Sequence, residues 1–82
     1  MPTVMRLGGL RVVIYPNDHR PAHVHVMGEG CEAVFKLGCP EAVPELRENF
    51  GFSRQRLAAI ELALHADQVR LCGEWERIHG IE

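Results

Sequence analysis

Residues 18–26 read Asp18-His19-Arg20-Pro21-Ala22-His23-Val24-His25-Val26, and this stretch decides how the rest of the chain is arranged. After the proline, imidazole and apolar side chains alternate. Because successive side chains of an extended strand point to opposite faces, His23 and His25 should share one face and Val24 and Val26 the other. The stretch therefore predicts a short strand with a buried valine side and a histidine pair displayed on the opposite side.

The residues around this strand predict an antiparallel meander. Gly8-Gly9 separates two strand-like runs, residues 3–7 and 10–15, and two glycines favour a tight hairpin because both tolerate positive φ. Gly28-Glu29-Gly30 predicts another tight turn, followed by a fourth strand over residues 31–37. Residues 45–50 fit either a short fifth strand or a helical turn.

A long helix is predicted after Ser53, whose hydroxyl makes it a good N-cap. The apolar residues that follow recur at helical spacing and form one stripe: Leu57, Ile60, Leu64, Leu71, Trp75 and Ile78. Trp75 is interpreted as core packing within this stripe. A kink or break is expected near Ala66-Asp67, and Gly80 is expected to end the helix. The chain is thus predicted to be one α+β domain over residues 1–82, with a four- or five-stranded sheet (3–37), a crossing loop (38–52) and one C-terminal helix (53–79).

One helix stripe covers one face of a sheet, so alternation divides the strand residues into two sets. The set predicted to lie under the helix is Met5, Leu7, Val12, Ile14, Val24, Val26, Ala33, Phe35 and Leu37. The set predicted on the open face is Val4, Arg6, Arg11, Val13, Tyr15, His23, His25, Glu32, Val34 and Lys36. The open face combines histidines with cationic, aromatic and β-branched side chains, and it is the predicted functional surface.

Length and charge limit the classes of function. At 82 residues and a formal net charge of −2, the chain has no global attraction for nucleic acid, so contact with RNA requires a local basic patch. A domain this small buries a modest share of its unfolded surface, which favours a homodimer or another protein partner.

The cysteines and apolar runs indicate the compartment. Cys31, Cys39 and Cys72 are odd in number, far apart and without C-x-x-C spacing, which argues against a disulfide framework and for a reduced environment. No apolar run approaches the roughly 20 residues of a membrane span, and the first residues lack the pattern of a signal peptide. We therefore expect a cytoplasmic protein that has no membrane partner.

Three hypotheses account for the histidine stretch. In the first, His23 and His25 share a divalent transition metal, since neutral imidazole is a common ligand of such metals. Either His19 or Asp18, just before the strand, would add a third ligand and leave a position open for substrate.

The second hypothesis is cleavage of RNA by acid–base catalysis without a metal, because histidine titrates near neutrality and cations stabilise a developing phosphorane charge. The candidate catalytic residues are His23, His25, Asp18 and His19, and the candidate substrate-binding residues are Arg6, Arg11, Tyr15 and Lys36. The third hypothesis is pure recognition, in which the open face or a free strand edge binds a protein partner or a second copy.

The sequence resembles a family of small bacterial proteins designated DUF4160, a domain of unknown function. The motifs that support this resemblance are Met1-Pro2-Thr3-Val4, Gly8-Gly9, Asp18-His19, Pro21-x-His23-Val24-His25-Val26, Glu32-Ala33-x-Phe35, Gly51-Phe52-Ser53 and Trp75. The resemblance implies a cytosolic protein, often encoded beside a second small domain of unknown function, and similarity to components of type II toxin–antitoxin modules, commonly the toxin. It brings no enzymatic mechanism.

Together these observations predict a toxin that binds a cognate antitoxin through its open face and has a ribonucleolytic or ligand site at the histidines. A noncatalytic module that binds metal, nucleic acid or protein is the alternative.

Overall fold

The computed structural model of the protein describes residues 3–39 and 42–80. Their elements are β1 (Thr3–Leu7), β2 (Leu10–Val13), β3 (His23–Gly28), β4 (Cys31–Lys36), β5 (Glu45–Phe50), α1 (Arg54–Ala66) and α2 (Gln68–His79). The strands form one antiparallel sheet in the order β1-β2-β3-β4-β5, which confirms the α+β meander. Positions 1–2, 40–41 and 81–82 of the predicted domain, including the Met1-Pro2 motif and part of the crossing loop, lie outside the described residues.

Residues 45–50, which fitted either a strand or a helical turn, form β5 within the predicted crossing loop. Every residue of β5 is exposed, so its sequence carries no alternation of buried and solvated side chains. Its conformation is instead fixed by backbone pairing with β4, in which Glu48 lies opposite Val34 and Glu45 opposite Lys36. This pairing gives the sheet its fifth strand at the free edge.

The predicted hairpins join the strands. Gly8 adopts a φ of 61° in the β1–β2 turn, a conformation that favours glycine. Gly28, at the end of β3, has no room for a side chain, since a Cβ there would lie 2.8 Å from the carbonyl oxygen of Gly9. Both glycines therefore allow the short connections that place β3 in the middle of the sheet.

The core lies on the face predicted from alternation. Val24 and Val26 have no exposed surface and pack in one cluster with the helices. The remaining buried members of the cluster are Leu10, Val12, Ile14, Ala22, Ala33, Phe35, Leu37, Phe52, Ile60, Leu64, Leu71 and Trp75. Burying each large apolar side chain contributes about 1.5–3 kcal/mol, so this cluster dominates the stability of the fold and fixes the register of β3.

Two valines correct the predicted open face. Val13, which was predicted there, has no exposed surface, and Val4 lies on the other side of the sheet. The β1–β2 pairing places Thr3 opposite Val13 and Met5 opposite Val12, which leaves Val4 as an extra residue in a bulge. A bulge of this kind re-aims side chains on the longer strand. As a result, Val4 packs against the core cluster and does not lie on the open face.

The C-terminal segment is two helices, although one was expected, and they meet at the predicted break. The Ser53 hydroxyl accepts a hydrogen bond from the backbone N–H of Arg56 at 3.1 Å and so caps α1 as predicted. Asp67 leaves helical geometry with a φ of −113° and separates the helices. Arg70 donates to Asp67 at 2.8 Å and to the carbonyl oxygen of Val4 at 3.0 Å. The hydrogen bond to Asp67 raises the pKa of Arg70, and the contacts fix the start of α2 over β1.

Two further contacts join α2 to the segment after β4. The buried amide of Gln68 donates to the carbonyl oxygens of Leu37, at 2.8 Å, and of Ala42. Contrary to the expectation from cysteine spacing, Cys39 and Cys72 form a disulfide, while Cys31 is free. The pairing arises because α2 crosses the end of β4, a contact that no local pattern encodes, and a cross-link over such a separation stabilises by about 2–4 kcal/mol.

Neither α1 nor α2 has the length and apolar character required of a membrane-spanning helix, and the described ranges 3–39 and 42–80 contain no other helix.

Candidate functional site

Asp18, His23 and His25 converge at the start of β3. Asp18 lies in the predicted turn between β2 and β3, where its backbone N–H donates to the carbonyl oxygen of Tyr15 at 3.1 Å. His23 opens β3, and His25 follows on the same face. The Nε2 atoms of His23 and His25 lie 3.2 and 3.1 Å from the same atom, Oδ2 of Asp18. The parity of the strand and the turn before it thus bring three potential ligands together.

The other imidazole nitrogens face oxygen atoms as well. Nδ1 of His23 lies 2.8 Å from the carbonyl oxygen of Pro21, and Nδ1 of His25 lies 3.4 Å from Oε2 of Glu32. A backbone carbonyl only accepts hydrogen bonds, so Nδ1 of His23 carries a hydrogen. When His23 is neutral, its Nε2 therefore presents a lone pair to the carboxylate of Asp18. Two electron-rich atoms at this distance repel each other unless a proton or a metal cation lies between them.

This arrangement has the features of a metal centre. The ligand atoms of Asp18, His23 and His25 all lie within 4.8 Å of one another. Tetrahedral zinc with bonds of 2.0–2.1 Å separates neighbouring ligand atoms by about 3.3 Å, close to the two nitrogen–oxygen distances. Histidine ligands of metals usually donate their second N–H to a carbonyl or a carboxylate, which is the relation of His23 to Pro21 and of His25 to Glu32. Two histidines and one carboxylate also match the ligand set of many catalytic sites.

The helices reach this site, which corrects the expectation of a fully open histidine face. His23 is only 8% exposed, and its ring centroid lies 5.4 Å from that of Trp75 on α2. The His25 side chain is 17% exposed, and its ring meets that of Tyr15 edge-on at 4.8 Å. The site therefore lies at the margin between the packed core and the open face, with one histidine on the core side and the other toward the open face.

The predicted substrate-binding residues surround the site at different distances. Lys36 lies directly opposite His23 on β4, and its amine is 3.8 Å from the carboxylate of Glu45. Arg11 lies opposite Met27, which makes it a diagonal neighbour of His25; such neighbours are roughly 7–8 Å apart across a strand pair. Arg6 faces Arg11 across the β1–β2 pair. The ring of Tyr15 contacts the ring of His25, and the Tyr15 hydroxyl lies 4.0 Å from the sulfur of Met27.

His19 lies elsewhere. It is exposed and lines a cleft of about 270 Å³ beside the three-residue cluster, together with Asp18, Arg20, Trp75 and His79. Of the two third ligands considered from the sequence, the structure thus brings Asp18, and not His19, to the histidine pair.

Sequence reasoning assigned no site role to Glu32, Arg20, Trp75 or His79. Glu32 was placed correctly on the histidine face, and its spacing from His25 across the β3–β4 hairpin was the available signal. Trp75 was correctly interpreted as a core residue, but its contact with His23 is a long-range one. His79, which stacks on Trp75 with ring centroids 3.8 Å apart, had no signal beyond its position in the last helical turn.

Comparison with family models gives a match to Domain of unknown function (DUF4160) over residues 9–76. The chain belongs to this family. The DUF4160 match contains Asp18, His23, His25 and Glu32, so the complete cluster lies within the shared domain. Searches of curated proteins and of solved structures gave no match.

Proposed function

We propose that this DUF4160 protein binds a divalent transition metal through Asp18, His23 and His25 and uses the site in hydrolysis of RNA. One observation carries the proposal: Nε2 of both histidines faces a single carboxylate oxygen, while Nδ1 of each faces an oxygen acceptor. A metal cation replaces the repulsion between Asp18 and the lone pair of neutral His23 with coordination, and the Pro21 carbonyl at Nδ1 of His23 fixes the tautomer that ligation needs.

Three protein ligands favour a catalytic over a purely structural role. Structural zinc sites are usually closed by four protein ligands, whereas catalytic sites keep a position for water or substrate. A bound metal of this kind supplies Lewis acidity and a water nucleophile at neutral pH. RNA as the substrate is supported by Arg6 and Arg11, which face each other on the histidine side of the sheet. Like charges in directly opposed positions are unfavourable unless an anion lies between them.

Metal titration of the purified, chelator-treated protein tests the proposal. We expect one equivalent of Zn²⁺ or Co²⁺ to bind and to raise the melting temperature, because a ligand that binds only the folded state stabilises it. Trp75 is the single tryptophan and its ring lies 5.4 Å from that of His23, so Co²⁺ should also quench the intrinsic fluorescence.

Matched variants locate the metal. Asp18→Asn should abolish the stoichiometric binding, while His65→Ala, on the exposed surface of α1, and His19→Ala should preserve it. Absence of stoichiometric binding in the wild type would refute the proposal, and retention of full affinity in Asp18→Asn would place the metal elsewhere.

A second proposal concerns the biological role: the protein is the toxin of a type II toxin–antitoxin module that acts in the cytoplasm and is held inactive by a cognate antitoxin. The resemblance of the Asp-His and Pro-x-His-x-His-Val motifs to toxin-associated proteins supports this role. The open face also bears apolar and charged side chains in rows, such as Val34 beside His25, that suit a protein partner.

Expression in a bacterium without the partner tests the toxin role. Wild type should arrest growth and shorten cellular RNA, whereas the double variant His23→Ala/His25→Ala should do neither, because it lacks both imidazoles. The His65→Ala variant controls for expression and should arrest growth like wild type. Equal growth of cells making wild type and the double variant, at equal levels of folded protein, would rule this role out.

A further inference from the structure

The cleft beside the metal cluster has an unusual set of polar groups. It lies between the chain that leads into β3 and the last turns of α2, and its lining comprises Asp18, His19, Arg20, Trp75 and His79. Arg20 and His19 are exposed, and Arg20 makes no ion pair within the described part of the chain. Its side chain lines the cleft and can meet a ligand there.

Two buried polar atoms of the cleft-lining residues lack a partner among residues 3–39 and 42–80. Trp75 is 1% exposed, and within these ranges its indole Nε1 has no hydrogen-bond acceptor. Nδ1 of His79 lies 3.1 Å from the carbonyl oxygen of Trp75, which it must serve as a donor, while its Nε2 is buried and unpartnered. Buried polar atoms are nearly always satisfied in native proteins, so exceptions call for an explanation.

An anionic acceptor explains the unpartnered indole N–H of Trp75 and the exposed guanidinium of Arg20 together. Both groups only donate hydrogen bonds. Among the lining residues that the structure describes, only Asp18 is acidic, and in the proposed metal centre its carboxylate is engaged by the cation. Arginine pairs with phosphate or carboxylate in a bidentate manner that strengthens such contacts. The lining therefore has a surplus of donors, as a site for oxygen anions requires.

We propose that this cleft binds an oxyanion group of the substrate, a phosphate or a carboxylate, next to the metal centre. This inference rests on the proposed metal function, because Asp18 belongs to both the cleft lining and the metal cluster. At about 270 Å³, the cleft is smaller than sites that enclose whole ligands, which span roughly 300–1,000 Å³. It thus fits one anionic group of a larger molecule, and for an RNA substrate that group is a backbone phosphate.

Calorimetry on the zinc-loaded protein tests the inference with three probes: inorganic phosphate, acetate and the deoxyribodinucleotide dApA. Wild type should bind at least one of them saturably. Preference for phosphate and dApA identifies a phosphoester substrate, and preference for acetate identifies a carboxylate-bearing one, and either result supports an oxyanion site. Failure of all three probes to bind would overturn it.

Two variants separate the cleft from the metal centre. Arg20→Gln removes an exposed cation and should weaken binding of the preferred probe on the order of ten-fold or more. Trp75→Phe keeps an aromatic ring but deletes the N–H, and it should weaken binding several-fold. Arg54→Gln, with the same charge change at the start of α1, should leave binding unchanged.

Zinc content distinguishes failure of this inference from failure of the metal proposal. Both cleft variants should retain one zinc equivalent, whereas Asp18→Asn should lose it. Equal weakening of probe binding by Arg20→Gln and Arg54→Gln would show a general effect of charge and would overturn the cleft assignment, even with stoichiometric zinc in place.

Discussion

Replacing Trp75 with alanine is expected to lower the free energy of unfolding by about 3–5 kcal/mol, the usual cost of deleting a large buried aromatic side chain. Trp75 is 1% exposed and belongs to the central core cluster. It also contacts His23 and stacks on His79, so its loss opens a cavity beneath the proposed site. Because small domains unfold with only about 5–15 kcal/mol, this variant should lose much of its stability.

Chemical denaturation followed by far-ultraviolet circular dichroism measures the effect, since the variant has no tryptophan for fluorescence. Val69→Ala is the matched control: Val69 lies on the same helix but is 83% exposed, so its truncation should change the free energy of unfolding by less than about 0.5 kcal/mol. A loss below about 1 kcal/mol for Trp75→Ala would contradict the packing of α2 against the start of β3.

Local patterns in the sequence predicted most of the sheet. The Gly8-Gly9 hairpin and the alternation of residues 23–26 are short-range signals, and each strand they specify is present. Side-chain parity correctly placed Val24 and Val26 in the core. It also placed both histidines on the opposite, open face, but His23 is only 8% exposed and contacts Trp75. Parity failed at Val4, because a bulge inserts one residue and no local pattern marked its position.

Features that depend on contacts between distant parts of the chain could not be predicted from the sequence. The β5 strand forms by pairing with β4, although its own residues fit either conformation. The Cys39–Cys72 bond and the contact between His23 and Trp75 both depend on where α2 crosses the sheet. The helix break at Asp67 was predictable because aspartate is a weak helix former, but the direction of α2 after the break was not.

The candidate site also has one part that local sequence patterns predicted and another part that only the folded structure reveals. The spacing of His23 and His25 predicted that the two imidazoles lie side by side on one strand. The turn before β3 contains two candidates for the third ligand, Asp18 and His19. Only the folded path of residues 18–22 decides between these two, and it brings the carboxylate of Asp18 to both imidazoles. Glu32 adds a carboxylate from the neighbouring strand, so the site combines a local motif with a sheet contact.

Comparison of His25→Ala with Glu32→Gln gives the sharpest test of how the metal centre is built. His25→Ala removes a proposed ligand and should weaken zinc binding on the order of 1,000-fold or more, beyond the effect of any outer partner. Glu32→Gln leaves all three ligands in place and replaces only the carboxylate 3.4 Å from Nδ1 of His25. Loss of such an outer partner usually costs about 10–100-fold in affinity.

We expect the larger loss of zinc affinity in His25→Ala because His25 and Glu32 have different roles. Nε2 of His25 faces Asp18 and would bind the metal, whereas Glu32 faces Nδ1 and only orients the ring and raises its basicity. In both variants and in wild type, zinc affinity should fall as the pH is lowered, because protons compete for the imidazole lone pairs. Competition with a chelator of known affinity measures all three proteins. Equal losses in the two variants would mean that Glu32 is itself a ligand, and unchanged affinity in His25→Ala would remove His25 from the metal centre.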